Sequence, residues 1–374
     1  MKLSKPVLMA LWLTALTPIL DPEAVAADTD EDILLHAASA PILGRDAAIP
    51  DQNRDGLSRT AFASIFGDNA TAADRKRDTL LIGSRKAPYY CNRRLTIKNP
   101  DVTRAIIVIH GGGRNASEYF DAIMAAMPAS TDAARDWRRK TIVLAPHFQE
   151  KDDARKDELY WEGDWNRGGE KKDVSSFAVV DALVARLRGG SFPNLKWIVM
   201  TGHSAGGQFV QRYAAFTDID LLPAPNSALV KFVPSNPSSY VYLNEYRFDE
   251  TRKAWVIPRG KTSKEYDEFK YGLDNLDDYA GNRGPNWART HLPKRWVEVL
   301  AGTADIEADS SFDDSKAAMW QGETRYERAL LFNAFMDRFY TPNRFHVTSV
   351  PNVGHDHREI YASAEAKRAL YFPD

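Results

Sequence analysis

From about residue 104 onwards, short runs of β-branched and apolar residues alternate with stretches whose apolar positions recur every three or four residues. Ala105 to Ile109, Thr141 to Ala145, Trp197 to Thr201, Leu229 to Val233, Trp296 to Leu300 and Phe345 to Val350 read as strands. Their near-continuous apolar character is that of strands covered on both faces. Between several of them, Phe177, Val180, Leu183, Val184 and Leu187 fall on one side of a helix, as do Leu330, Leu331, Ala334, Phe335 and Phe339. Strands alternating with helices predict an α/β fold with a mostly parallel sheet flanked by helices, whose functional groups gather at the carboxyl ends of the strands.

Two intervals interrupt this rhythm. Residues 146–174 carry the aromatic and charged segment Leu159-Tyr160-Trp161-Glu162-Gly163-Asp164-Trp165, followed by Asn166-Arg167-Gly168-Gly169. Residues 234–293 are rich in Tyr, Asn, Asp and Gly and are too long for a simple connection, so they read as a cap inserted over the strand ends, between the strand near 229–233 and that near 296–300. Upstream, residues 27–100 form an N-terminal extension leading into the first strands, with helix-like patches at Ile33 to Leu43 and Ala61 to Phe66; residues 101–374 are the main domain. The chain has no internal repeat and no low-complexity tract.

The first residues follow a different logic. Lys2 and Lys5 precede the apolar run Val7 to Leu16, and Ala24-Val25-Ala26 has the form of a cleavage site. The run is broken by Pro18 and ends at Asp21, short of the roughly 20 residues that span a bilayer. Residues 1–26 therefore read as a secretory signal, giving a secreted or periplasmic protein with no stable membrane insertion after cleavage.

Composition narrows the partners. With 374 residues, 44% hydrophobic and 27% charged, the chain is ordinary globular material. A net charge of -2 and no basic block beyond runs such as Arg138-Arg139-Lys140 leave no footprint for nucleic acid, and a small or neutral polymeric substrate fits better. The single cysteine, Cys91, excludes an intrachain disulfide and reads as a packed small hydrophobe. Asp51-Gln52-Asn53-Arg54-Asp55-Gly56 copies the opening of a calcium loop, but Phe62 stands where the twelfth-position glutamate belongs, so a solvated turn is expected.

The chemistry is concentrated at three strand ends. Gly202-His203-Ser204-Ala205-Gly206 ends one strand and opens a helix, the pattern of a nucleophile elbow with Ser204 as the nucleophile. A serine hydroxyl is a poor nucleophile at neutral pH and needs an imidazole to take its proton, and that imidazole needs a carboxylate to fix its tautomer. Downstream, Asp305 follows the strand ending at Leu300, and His355 follows the next strand, in the order Ser, Asp, His. Asp309, Asp313 and Asp314 share the loop of Asp305 and compete for its role, as His357 does for that of His355. His355-Asp356-His357 has no third ligand at a diagnostic spacing, so no metal is expected. The strand Ile106 to Ile109 runs into His110-Gly111-Gly112-Gly113, a loop whose backbone N–H groups can receive a developing oxyanion. Gly112 and Gly113, together with the N–H of Ala205, are the expected donors.

The paired motifs Ile109-His110-Gly111-Gly112-Gly113 and Gly202-His203-Ser204-Ala205-Gly206-Gly207 resemble those of carboxylesterases and lipases of the α/β-hydrolase superfamily, over about residues 100–374. The resemblance implies a parallel-rich sheet, no cofactor and an acyl-serine intermediate. It implies a small-molecule or oligomeric ester as substrate, with amide cleavage on the same triad and a catalytically silent binding protein as alternatives. Trp161, Trp165 and Tyr240 are candidates for lining a substrate cleft, and Glu162, Asp164 and Arg167 argue against a wholly apolar lipase tunnel.

Overall fold

Ile106, Ile107, Val108 and Ile109 are β-branched and apolar without interruption, which favours an extended strand covered from both sides. In the computed structural model the strand Arg104–Ile109 is buried along its whole length. The structure describes residues 75–371 apart from 129–135, 172, 220, 222–227 and 261–264. The signal at 1–26, the patches at Ile33 to Leu43 and Ala61 to Phe66, and the turn at Asp51 to Gly56 lie outside the described residues.

Within them, the main sheet comprises β1 (Lys76–Ile82), β2 (Arg85–Cys91), β3 (Arg104–Ile109), β4 (Thr141–Pro146), β5 (Trp197–His203), β6 (Leu229–Ser235), β7 (Val297–Gly302) and β8 (Phe345–Val350). Their spatial order is β1-β2-β4-β3-β5-β6-β7-β8. β2 runs antiparallel to both of its neighbours, and every other pairing is parallel. The mostly parallel sheet expected from the alternating pattern is therefore present, and the carboxyl ends of β3, β5, β6, β7 and β8 share one edge.

Alternation of side chains divides the core in two. Ala105, Ile107 and Ile109 of β3, with Ile142 and Leu144 of β4, point into a large cluster covered by α2 (Ser176–Arg188), α3 (Ala205–Phe216) and α4 (Arg325–Phe339). Ile106 and Val108, with Val143 and Ala145, point into a second cluster covered by α1 (Ala116–Ala126), α5 (His357–Ala362) and α6 (Ala364–Tyr371). Full burial of each such aliphatic side chain is worth about 1.5–3 kcal/mol, so the two clusters supply the stability that no disulfide provides. Cys91 is buried as a free thiol, as expected.

The long interval between β6 and β7 is an insertion with elements of its own. It contains a hairpin of Arg247–Asp249 with Ala254–Val256, and short helices at Asp278–Arg283 and Pro285–His291. Its Tyr242, Leu243, Trp255, Phe269 and Leu273 join the large cluster on the α3 and α4 side. Its aromatic residues serve packing; Tyr242, for example, meets Phe332 and Phe335 of α4 at 4.9 and 4.6 Å between ring centroids.

One buried ion pair crosses the sheet. Lys231 of β6 lies 2.7 Å from Glu298 of β7 and donates to the Ala369 carbonyl at 3.0 Å. Burial pushes the Glu298 carboxyl up, but hydrogen bonds from His346, Lys231 and Thr348 and the charge of Lys231 more than offset this, holding it down at about 2 against an ordinary 4.5. Its stabilising contribution is therefore complete above pH 4.5 and is lost as the pH falls through about 2. Glu298→Ala, which removes the carboxylate from this pair, is expected to lower the unfolding free energy by about 3–5 kcal/mol in urea denaturation at neutral pH. Glu298→Gln is expected to lose less stability than wild type on going from pH 4.5 to 2; parallel curves for the two proteins would contradict this account.

Candidate active site

Ser204 sits between the last residue of β5 and the first of α3, with φ 59° and ψ -121°. A side chain at positive φ costs about 1–3 kcal/mol and persists only where its surroundings enforce it. Here the Ser204 N–H donates to the Ser235 carbonyl of β6 at 3.0 Å, and the Ser204 carbonyl accepts from the Gln208 N–H at 3.0 Å. The glycines are required by space. A Cβ on Gly202 would stand 2.5 Å from the Gly206 carbonyl, one on Gly206 would run into the carbonyls of Ile109 and His110, and one on Gly207 would stand 2.5 Å from the Ser235 carbonyl. The turn is thus wedged between the ends of β3 and β6, with the half-buried Ser204 at its tip.

Asp305 and His355 are brought together. The Asp305 N–H closes a turn onto the Gly302 carbonyl at 3.1 Å just past β7, and the carboxylate is 2% exposed. His355 lies between β8 and α5, and its Nδ1 is 2.7 Å from Asp305 Oδ2. With Nδ1–H donated to the carboxylate, the neutral ring presents Nε2 as an acceptor. That Nε2 is buried without a hydrogen-bond partner. The His355 ring lies 4.5 Å from the ring of His203, the residue before Ser204, which puts the imidazole beside the elbow. Burial, and then the neighbouring His355, His357 and Arg325, hold His203 well below the ordinary histidine range, so it is a neutral packing ring.

The competing residues are otherwise engaged. Asp309 accepts from Arg325 at 2.9 and 3.2 Å and from Ser311. Burial raises its carboxyl, but those hydrogen bonds outweigh it and hold the group well below the usual carboxylate range. Asp313 accepts from Lys270 at 3.0 Å and from the Tyr271 hydroxyl at 2.8 Å, and Asp314 is exposed. His357 opens α5 and stacks on Tyr119 at 4.2 Å with an interplanar angle of 11°; burial pushes it down to about 4. Asp356 caps the same helix by accepting from the N–H groups of Arg358 and Glu359.

One contributor escapes sequence reasoning. The buried Arg325 donates to Asp305 Oδ1 at 3.2 Å, to Ser238 at 2.8 Å and to Ser311 at 2.9 Å, besides Asp309. It occupies the free oxygen of Asp305 and leaves the other to His355. Its signal in the sequence is an arginine in the first turn of a helix, against the dipole preference for acidic residues there.

The glycine loop follows β3. The Arg114 N–H bonds the Gly111 carbonyl at 3.1 Å, closing a turn whose Gly112 and Gly113 are exposed, with nothing within 4 Å of where a Gly112 Cβ would be. Buried His110 braces the turn: its Nε2 accepts from the Phe148 N–H at 3.0 Å, which leaves Nδ1–H to donate to the Gly111 carbonyl at 2.9 Å. Burial pushes His110 down to about 3, so the ring is neutral. The Arg114 guanidinium donates to the carbonyls of Trp161, Glu162, Phe148 and Gln149, tying the loop to the aromatic segment. Ala205 is the first residue of α3, where helix geometry leaves the N–H without an intrahelical partner.

Trp161, Trp165 and Tyr240 do not line an open cleft. Trp161 is 1% exposed and meets Phe148 edge-on at 5.2 Å. Trp165 is 4% exposed and packs against His110 at 4.5 Å and Phe148 at 5.5 Å. Tyr240 is fully buried, stacks on Phe332 at 4.8 Å, and has its backbone N–H and carbonyl bonded at 2.8 Å by Gln321. The large apolar area of these rings goes into supporting the glycine loop and α4 from beneath. Among the described residues no group of three or more His, Cys, Asp or Glu side chains is arranged to hold a metal ion, and no helix is long and apolar enough to cross a membrane.

No protein-family model and no curated protein matches the sequence. Solved structures do. A poly(3-hydroxybutyrate) depolymerase, LpqC, from Bordetella parapertussis superposes with a TM-score of 0.56 at 23% identity, covering 80% of this chain and 92% of that one. Poly(aspartic acid) hydrolase-1 from Sphingomonas sp. KT-1 superposes with a TM-score of 0.55 at 20% identity, covering 79% of this chain and 98% of that one. Together with the strand order and the helices on both faces, these likenesses show that the chain has the α/β-hydrolase fold.

Proposed function

We propose that this protein is a secreted serine hydrolase that cleaves carboxylic esters through an acyl-serine intermediate. The observation that carries the reading is the 2.7 Å contact between His355 Nδ1 and Asp305 Oδ2, beside the strained turn that presents Ser204. In this scheme the Ser204 hydroxyl attacks the ester carbonyl while His355 Nε2 takes its proton. The Asp305 carboxylate stabilises the imidazolium so formed. The negative charge on the carbonyl oxygen is received by the N–H of Ala205 and those of the Gly112-Gly113 turn, each such donor being worth about 2.7–4 kcal/mol in the transition state. Collapse of the tetrahedral adduct expels the alcohol, which takes the proton from His355. A water then repeats the sequence on the acyl-serine, releasing the acid and restoring Ser204. The scheme draws on no cofactor.

The substrate in this reading is a polar or aromatic ester, or a fragment of a polyester. Exposed Glu162 and the half-exposed Asp164 and Arg167 near the glycine loop favour a polar ligand. The polyester named for the Bordetella neighbour is consistent with it. Amide cleavage on the same triad is the second reading, favoured by the poly(aspartic acid) named for the Sphingomonas neighbour, since that polymer is joined by amides. The amino-terminal pattern of residues 1–26 supports export, and sequencing the start of the protein recovered from outside the cytoplasm tests it.

Ser204→Ala is expected to lower kcat for p-nitrophenyl acetate by at least about 10⁴-fold with the fold retained; equal rates would end the assignment. Asp305→Asn is expected to cost about 10⁴-fold, whereas Asp309→Asn stays within about tenfold of wild type. The reverse order would move the acid to Asp309. Turnover of peptide or poly(aspartic acid) by protein inert towards esters would replace the ester reading with the amide one.

A further inference from the structure

Asn236 is the residue at which β6 leaves the sheet, and it is 2% exposed. Its φ of 41° is a left-handed conformation that favours Gly, Asn and Asp. Its N–H still makes the last ladder bond, to the Leu300 carbonyl at 3.0 Å, so the side chain is launched from a fixed point between β5 and β7. From there Oδ1 accepts from the Gly302 N–H at 2.9 Å, Nδ2 donates to the Gly354 carbonyl at 3.1 Å, and the same Nδ2 lies 3.5 Å from His203 Nε2.

Each of these partners adjoins one member of the proposed triad. Gly302 is the residue onto whose carbonyl the Asp305 turn closes, Gly354 immediately precedes His355, and His203 immediately precedes Ser204. At this point β7 and the His355 loop approach too closely for a side chain, because a Cβ on Gly302 would stand 3.1 Å from the Gly354 carbonyl and closer still to that of Val353. A single buried amide is therefore the group that bridges all three loops.

We infer that Asn236 is a positioning residue, whose carboxamide sets the spacing of the Ser204, Asp305 and His355 loops by holding Gly302, Gly354 and His203 at once. The inference rests on the triad reading above. It depends on an amide in particular, since one end must accept and the other donate. A carboxylate of the same shape keeps the bond to Gly302 but turns an acceptor towards the Gly354 carbonyl. A glycine keeps the backbone and removes all three contacts. Misplacement of catalytic groups by about 1 Å costs on the order of 100-fold in rate without weakening substrate binding in proportion.

The test uses the full-length chain with Asn236→Gly and Asn236→Asp. It reads the melting temperature, kcat and KM on p-nitrophenyl acetate, and the far-downfield proton resonance of the His355 Nδ1–H shared with Asp305, assigned by its loss in His355→Gln. Both variants, measured well below their melting temperatures, are expected to lose or displace that resonance and to show kcat lowered about 100-fold with KM within about twofold. Folded variants that keep the wild-type resonance and kcat, and lose only melting temperature, would overturn the inference. If Asn236→Gly does not fold, the isosteric Asn236→Asp decides alone. The resonance reports on Asn236 even if wild-type protein proves inert towards esters, so failure of the hydrolase reading and failure of this inference give different results.

Discussion

The whole arrangement depends on a close approach of backbone to backbone at the end of β5. Gly202, Gly206 and Gly207 allow the Ser204 turn to press against the carbonyls of Ile109 and His110 on one side and of Ser235 on the other, where no Cβ would fit. That contact holds Ser204 in a conformation it would not adopt alone, at the start of α3, where the first N–H groups lack intrahelical partners. β3, buried throughout, and β5, buried from Ile198 onwards, are the rigid support against which such strain can be held.

Around this turn the polar groups are buried and paired rather than exposed. Arg325 gathers Asp305, Asp309, Ser311 and Ser238, while Arg328 and Arg212 hold the neighbouring Ser238 carbonyl and Ser239 hydroxyl. The Asn236 to Leu243 segment, which carries no recognisable chemistry in its sequence, is thereby fixed between the elbow and α4. Burying a guanidinium is costly unless it is hydrogen-bonded, so the contacts of Arg325 and Arg328 tie the loops behind the site to α4. The neutral rings of His110 and His203, both held uncharged by burial, fill the remaining space without adding charge beside Ser204.

Much of this was legible in the sequence because it is local. Strand runs, the helix period of α2, and the glycine spacing of the elbow and loop are all set by neighbours in the chain, and they led to the parallel sheet and to the strand-end loops that carry Ser204, Asp305 and His355. What the sequence concealed is long-range. Arg325 is 20 residues from Asp305, and nothing local to either reveals the contact. Choosing Asp305 over Asp309 and Asp313 required seeing which carboxylate meets His355 and which meet Arg325 and Lys270. The tryptophans misled for a physical reason: an aromatic, charged segment looks the same whether its rings face solvent or, as with Trp161 and Trp165, pack beneath a loop whose charged neighbours stay outside. The interval after β6 was legible as an insertion from its length, whereas the joining of its aromatic side chains to the main core was not.

Peptide mapping by mass spectrometry after reaction with a fluorophosphonate tests whether Ser204, held on this turn and assisted by His355, is the proposed nucleophile. A single adduct on Ser204 is expected, formed by the folded protein and much slower in His355→Gln. Absence of any adduct on folded protein, or an adduct on a different serine such as Ser238, would contradict it.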